Sequence, residues 1–264
     1  MLPTLKTAGT IAYRESGMPG APAVVLLHGI GSTAAGWRLQ FAPLAQEARV
    51  IAWDAPGYGG SAPLATATPV AEDYARALAG LLDALGVKAA VIGSNSWGTP
   101  TAVAFAVLYP ARVRALVLGG PANGMAGLPA AEREKLLEER IARVKSLGLP
   151  AMRVQDAPRL VAPGTRDEVM QWISGSEGIH EAGYLQALQM LARADCARTI
   201  TGVACPVTVI SGENDLVTPP ETNAKRIAAA APNATLTMVP DCGHLPHLEF
   251  PDLFNEALRE ALAI

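Results

Sequence analysis

Apolar residues in this chain recur in short unbroken runs. Positions 22–27 read PAVVLL, 49–53 RVIAW, 89–93 AAVIG, 113–119 VRALVLG and 206–211 PVTVIS, each bounded by Gly, Pro or Asp. Runs of that length, partly β-branched and stopped by turn residues, predict strands buried on both faces. Between them lie segments of helical length, 34–48, 70–85, 99–109 and 221–231. Strand alternating with helix predicts an α/β fold, a mostly parallel sheet covered by helices on both sides. Thr68-Pro69 reads as a cap before a Pro at the first helical position, and Thr218-Pro219-Pro220-Glu221 as a capping box. Residues 4–7 and 10–16 read as an edge hairpin turning through Ala8-Gly9.

From Pro121 to about Gly202 the alternation stops. Leu137, Ile141, Val144 and Gly148 fall at helical spacing in a charged stretch with Glu139 four residues before Arg143, which predicts an exposed amphipathic helix. Residues 166–173 and 182–194 are also helix-like. The expected division is a core of 1–120 and 203–264 with a helical cap at 121–202, placed where α/β folds hold ligands and able to roof a site.

Composition narrows the function. The chain has 264 residues, 50% of them hydrophobic, with a formal net charge of -3. That length allows one or two domains and a sizeable core. Without clustered Lys and Arg it is a poor partner for nucleic acid. The N-terminus MLPTLKTAGT lacks the basic and apolar stretches of a secretory signal, and no apolar run would span a bilayer. Cys196, Cys205 and Cys242 cannot all pair with one another, so a reducing, cytoplasmic setting away from membranes is expected.

The chemistry centres on VIGSNSWGTP. A nucleophile elbow places the reactive residue on a strained turn between strand and helix, with small residues two before and two after it. Ser96 has Ser94 and Gly98 at those places. Centring the turn on Asn95 would give an amide without useful nucleophilicity and put bulky Trp97 at a small position. A strict G-x-S-x-G occurs by chance roughly 0.1 times in such a chain, and Ser174-Gly175-Ser176-Glu177-Gly178 matches the relaxed form without a buried strand before it. Only Ser96 sits between an apolar strand and an apolar helix. Its backbone should depart from ordinary strand or helix angles.

A serine nucleophile needs a base, a carboxylate to orient that base, and donors for the oxyanion. Asp215 follows the strand PVTVISG, with Glu213 as the alternative carboxylate. His244 follows Gly243, which would let the backbone turn the ring back toward the strand ends, and His247 is the second candidate base. His-x-x-His lacks a third ligand pattern, so neither a metal nor another cofactor is expected. The backbone N–H groups of Ile30, in LLHGIGS, and of Trp97 are the expected oxyanion donors. Trp37, Leu216, Val217 and Leu245 are the expected apolar substrate contacts, and Arg38, Arg153 and Arg159 are candidate cations for an anionic substrate.

With these residues in view, the chain resembles the α/β-hydrolase superfamily along nearly its whole length. His28-Gly29 with Gly31, DAPGYGGS at 54–61, SNSWG around Ser96, GENDLVTP around Asp215 and CGHLPHLEFP around His244 look like that family's landmarks in its order Ser, Asp, His. The finer likeness is to the 3-oxoadipate enol-lactonase-like branch. Two features depart from the pattern. Ser94 stands where the first elbow glycine is usual, and Leu245 stands where relatives that split carbon–carbon bonds carry a Trp. The resemblance implies a serine hydrolase of small carboxylic esters or lactones. Carbon–carbon hydrolysis of ring-cleavage diketones, or a binding protein that has lost turnover, are the alternatives.

Overall fold

A computed structural model describes residues 1–175 and 177–264; Ser176, the centre of the relaxed motif, lies outside the described residues. Eight strands form one sheet: β1 (Leu5–Ala8), β2 (Ile11–Ser16), β3 (Ala23–Leu27), β4 (Arg49–Trp53), β5 (Ala90–Asn95), β6 (Val113–Gly119), β7 (Val207–Gly212) and β8 (Ala234–Val239). Their order is β1-β2-β4-β3-β5-β6-β7-β8. The β1/β2 and β2/β4 pairs are antiparallel and the rest are parallel. The edge hairpin is present, with Ala8 paired to Ile11, so that Gly9, at φ +59°, and Thr10 form its turn.

The helices are α1 (Arg38–Leu44), α2 (Ala71–Ala84), α3 (Gly98–Leu108), α4 (Ala130–Leu147), α5 (Leu149–Asp156), α6 (Asp167–Ser174), α7 (Glu181–Arg193), α8 (Cys196–Thr199), α9 (Ala224–Ala230), α10 (Pro246–Glu249) and α11 (Pro251–Leu262). The central strands are buried on both faces because successive side chains enter different cores. Val25 and Leu27 pack with Tyr74 and Leu78 of α2 and Phe105 of α3. Val24 and Leu26 pack with Phe41 of α1 and Phe254 and Leu258 of α11. Among the described residues no helix is long and apolar enough to cross a membrane.

Both helix-start signals are used differently from the expectation. Helix α2 begins at Ala71, where the Asp73 carboxylate accepts from Val70 N at 2.9 Å, and Thr68 does not cap it. Helix α9 begins only at Ala224, because the Thr218 hydroxyl is taken by Asp215 at 2.8 Å. The segment 34–48 divides into a 3₁₀ turn at Ala34–Trp37 and the short α1.

Between β6 and β7 the chain runs through α4 to α8, and α5 was not foreseen. Gly148, at φ +71°, ends α4 and lets Leu149-Pro150 start the next helix at once. The expected Glu139–Arg143 pair does not form. Arg143 instead makes a bidentate contact to Asp156, at 2.7 and 2.8 Å, which ties α4 to α5. This segment meets the loops that follow several strands: Gly59 N donates to Gly178 O, Trp97 Nε1 to Ala187 O and His244 N to Leu160 O. It therefore lies over the carboxyl ends of the parallel strands.

Candidate active site

Strand β5 runs two residues further than its apolar core, pairing Ser94 with Leu118 and Asn95 with Gly119. The chain then reverses through Ser96, which has φ +52°, and α3 starts at Gly98. A left-handed serine costs about 1–3 kcal/mol and persists only where the surroundings enforce it. They do so here. A β-carbon on Gly98 would lie 2.5 Å from Leu27 O, so only glycine lets α3 come this close to β3. Ser94 tolerates the position usual for glycine because its hydroxyl meets Thr99 Oγ1 at 3.3 Å.

His244 and Asp215 meet beside this turn. His244 Nδ1 lies 2.8 Å from Asp215 Oδ2 and 3.1 Å from Thr218 Oγ1, and both His244 and Asp215 are buried. Asp215 Oδ1 accepts from the Val217 and Thr218 amides, each at 2.8 Å. Burial pushes the Asp215 carboxyl up, but the charge and hydrogen bond of His244, aided by Thr218, outweigh it and hold the group below the usual carboxylate range. An ionised Asp215 fixes the Nδ1–H tautomer and leaves His244 Nε2 as the basic nitrogen. Ser96 Oγ makes no hydrogen bond among the described residues; Ser96 and His244 are walls of one cavity of about 570 Å³. Such contacts commonly shorten only when substrate is bound.

Asp215 folds its own loop back toward Val217 and Thr218, leaving Leu216 at the tip, 63% exposed and away from the cavity. Glu213 is exposed, and it is Asp215 that hydrogen-bonds His244. His247 is buried at the edge of the cavity, which it helps to line, its ring 4.4 Å from that of Trp37. Trp37 does not line the cavity. It closes the 3₁₀ turn facing inward, where Phe254 and His247 cover it. Val217 and Leu245 do line the cavity, as does Ile30.

The Ile30 and Trp97 amides donate no hydrogen bond among the described residues. Unpaired N–H groups beside a buried turn are rare. The loop that carries Ile30 is braced from behind. Tyr58 OH donates to Ile30 O at 3.0 Å, and Asp54 Oδ1 accepts from Ala34 N at 2.7 Å. His28 Nδ1 lies 2.8 Å from Gly29 O while Nε2 accepts from Ala55 N at 3.0 Å. The 54–61 stretch, noticed in the sequence without a role, supplies this support.

Arginines are the main charged residues of the cavity lining. Arg38, Arg140, Arg143, Arg153 and Arg159 all line the cavity, against Asp156 and Glu177 as carboxylates. Arg38 lies over the Trp172 ring at 4.2 Å. Arg153 is 7% exposed and donates to the carbonyls of Ile173 and Gly175. Burial pushes its pKa down, but a guanidinium titrates so high that it stays charged at neutral pH. Its Nη1 has no hydrogen-bond partner among the described residues. Arg140 and Arg143 carried no such expectation, since helical spacing reads them as solvated.

Comparison with known proteins follows the same lines. A family model described as the alpha/beta hydrolase fold matches residues 22–251. The 2-hydroxy-6-oxononadienedioate/2-hydroxy-6-oxononatrienedioate hydrolase 2 of Pseudomonas putida is 32% identical over 265 residues, 95% of this chain and 90% of that one. A thermophilic esterase from Thermogutta terrifontis, solved with malate bound, superposes with a TM-score of 0.82 at 28% identity, covering 96% of this chain and 93% of the other. The enol-lactonase from Burkholderia xenovorans shares the fold, with a TM-score of 0.86 at 24% identity over 99% and 100% of the two chains. The strand order, the strained turn after β5 and this match across most of the length agree: the chain belongs to the alpha/beta hydrolase fold family.

Proposed function

We propose that this protein is a serine hydrolase of a small, carboxylate-bearing ester or lactone. Ser96 is the nucleophile, His244 the base and Asp215 its orienting carboxylate. The observation that carries the reading is the Asp215–His244 pair at 2.8 Å, sharing one cavity with a serine in a left-handed turn. Ser96 Oγ adds to the substrate carbonyl while His244 Nε2 takes its proton. The Ile30 and Trp97 amides hold the oxygen that becomes negative; one such donor is worth about 10²–10³ in rate. Collapse returns the proton to the leaving oxygen and leaves an acyl-enzyme. Water, deprotonated by His244, then releases the acid. The segment 121–202 acts as the cap, and Val217 and Leu245 cover the hydrocarbon part of the substrate.

The carboxylate is argued from the wall of the cavity. A buried, charged guanidinium with a donor that has no partner among the described residues favours an anion there. The names of two similar proteins carry dicarboxylates, a dienedioate and malate.

Carbon–carbon hydrolysis on the same three residues is the second reading, favoured by the 32% identity to the Pseudomonas putida enzyme. Leu245 after the base weighs against it. A fluorophosphonate adduct mapped by mass spectrometry to Ser96 tests the nucleophile, and turnover surviving Ser96→Ala would refute it. A panel of esters, lactones and ring-cleavage diketones, each with and without a free carboxylate, separates the two chemistries.

A further inference from the structure

One carboxylate beside the site gathers several donors from two separate segments, and the steps above make no use of it. Glu249, at the end of α10, accepts at Oε2 from Gly243 N at 2.9 Å, Ala162 N at 2.8 Å and Thr165 Oγ1 at 3.3 Å. At Oε1 it accepts from Leu245 N at 3.0 Å, with Cys242 Sγ at 3.8 Å. Gly243 and Leu245 flank His244. Ala162 and Thr165 belong to the helical insertion.

Further contacts join the same two segments. His244 N donates to Leu160 O at 2.9 Å. Gly243 does not have positive φ, so a left-handed backbone is not what calls for glycine there. A β-carbon there would lie 2.7 Å from Ala162 N and from Val161 Cα, and only glycine lets the insertion rest directly on the loop. On the core side Asn95 Nδ2 donates to His244 O at 3.1 Å.

We propose that Glu249 is a positioning residue for His244. Its carboxylate fixes the loop 243–245 only when 160–165 is seated on it, so docking of the insertion and placement of the imidazole occur together. This rests on the reading of Ser96 and His244 as nucleophile and base. A carboxylate is required because the amides of Gly243, Leu245 and Ala162 all point at it. A glutamine would turn an NH₂ toward at least one of them. Displacing a catalytic group by about 1 Å can lower the rate about a hundredfold.

The test is Glu249→Gln in the full chain, read by steady-state kinetics, by the rate of fluorophosphonate labelling of Ser96 and by amide hydrogen exchange. The expected result is kcat and labelling rate lowered together by about tenfold to a hundredfold, with KM within about threefold. Exchange should quicken at Ala162 and Leu245 while β5 and β6 stay protected. A residue that merely braced the fold would lower the melting temperature and leave kcat of the folded enzyme alone. Parental kcat and labelling rate in Glu249→Gln, with Ser96→Ala and His244→Ala dead, overturns the proposal and spares the triad. Turnover in either of the latter two overturns the triad reading itself. If Glu249→Gln fails to fold, Thr165→Val removes from the insertion side, at constant volume, the hydroxyl that contacts both Glu249 Oε2 and Ala162 O. A severalfold fall in its kcat and labelling supports the proposal, and parental values overturn it.

Discussion

Arg153 lies across Gly31: a β-carbon on that glycine would sit 2.1 Å from Nη1 and 2.9 Å from Cζ of the guanidinium. Gly31 follows Ile30, so the cation lies against the loop that carries one of the two amides proposed as oxyanion donors. Losing a charge-assisted hydrogen bond to substrate costs about 1.5–3 kcal/mol, equivalent to roughly ten- to a hundredfold in binding. Arg153→Met is therefore expected to raise KM by that factor for carboxylate-bearing substrates while leaving neutral esters within about threefold. Gly31→Ala, which must displace the guanidinium, should change the same preference. An equal loss on charged and neutral substrates would remove Arg153 from substrate recognition.

The strain at Ser96 has its own signature in stability. A residue in a regular strand or helix loses about 0.5–1 kcal/mol on replacement by glycine, but at φ +52° glycine is the residue that fits. Ser96→Gly should therefore be more stable than Ser96→Ala by about 1 kcal/mol in urea unfolding, reversing the usual order. Both variants should lose turnover by about 10⁶, as removal of a serine nucleophile does elsewhere.

Thr218 contacts both members of the Asp215–His244 pair proposed as carboxylate and base. Its amide and its hydroxyl each contact that carboxylate at 2.8 Å, and the hydroxyl also lies 3.1 Å from the imidazole. Thr218→Val keeps the amide and removes the hydroxyl. One hydrogen bond to a charged group is worth about 1.5–3 kcal/mol when buried, so kcat is expected to fall about tenfold or more with KM little changed. Asp215→Asn should be worse, near 10⁴, because an amide no longer holds the required tautomer. Parental pH–rate profiles in both variants would detach this pair from the reaction.

The parts of this fold that were legible were those decided by local burial. The five central strands announce themselves because both faces of each are apolar, and Ser96 stands out because small residues flank it between a strand and a buried helix. What stayed hidden depended on distant partners. Thr218 carries a helix-start signal, but Asp215 takes its hydroxyl. Trp37 looks like a pocket residue by its place after the glycine loop, but Phe254, more than two hundred residues later, covers it. Arg143 pairs with Asp156 across two helices because Gly148 folds them together, not with Glu139 one turn away. Gly243 is legible as important beside His244, but only tertiary structure reveals the backbone that rests on it.

His247 predicts how the fold responds to acid. It is buried against Trp37 and Phe254, with Nδ1 unpartnered among the described residues and only its backbone carbonyl engaged, by Gln40. Burial, with the charge of His244 second, pushes its pKa down to about 3. In the unfolded chain the same imidazole titrates near 6.5. Between those values the unfolded state binds a proton that the native state refuses, so stability falls as pH drops, by up to about 1.4 kcal/mol per pH unit from this group. His28, also pushed down by burial, acts in the same sense. His247→Leu removes one of the two contributions. Packing lost in that variant lowers stability at every pH, so the slope is the measurement. Urea unfolding at pH 6.5 and 4.5 should show the parent losing about 2 kcal/mol more than the variant over that interval. Parallel losses would mean that His247 takes up its proton within the folded protein.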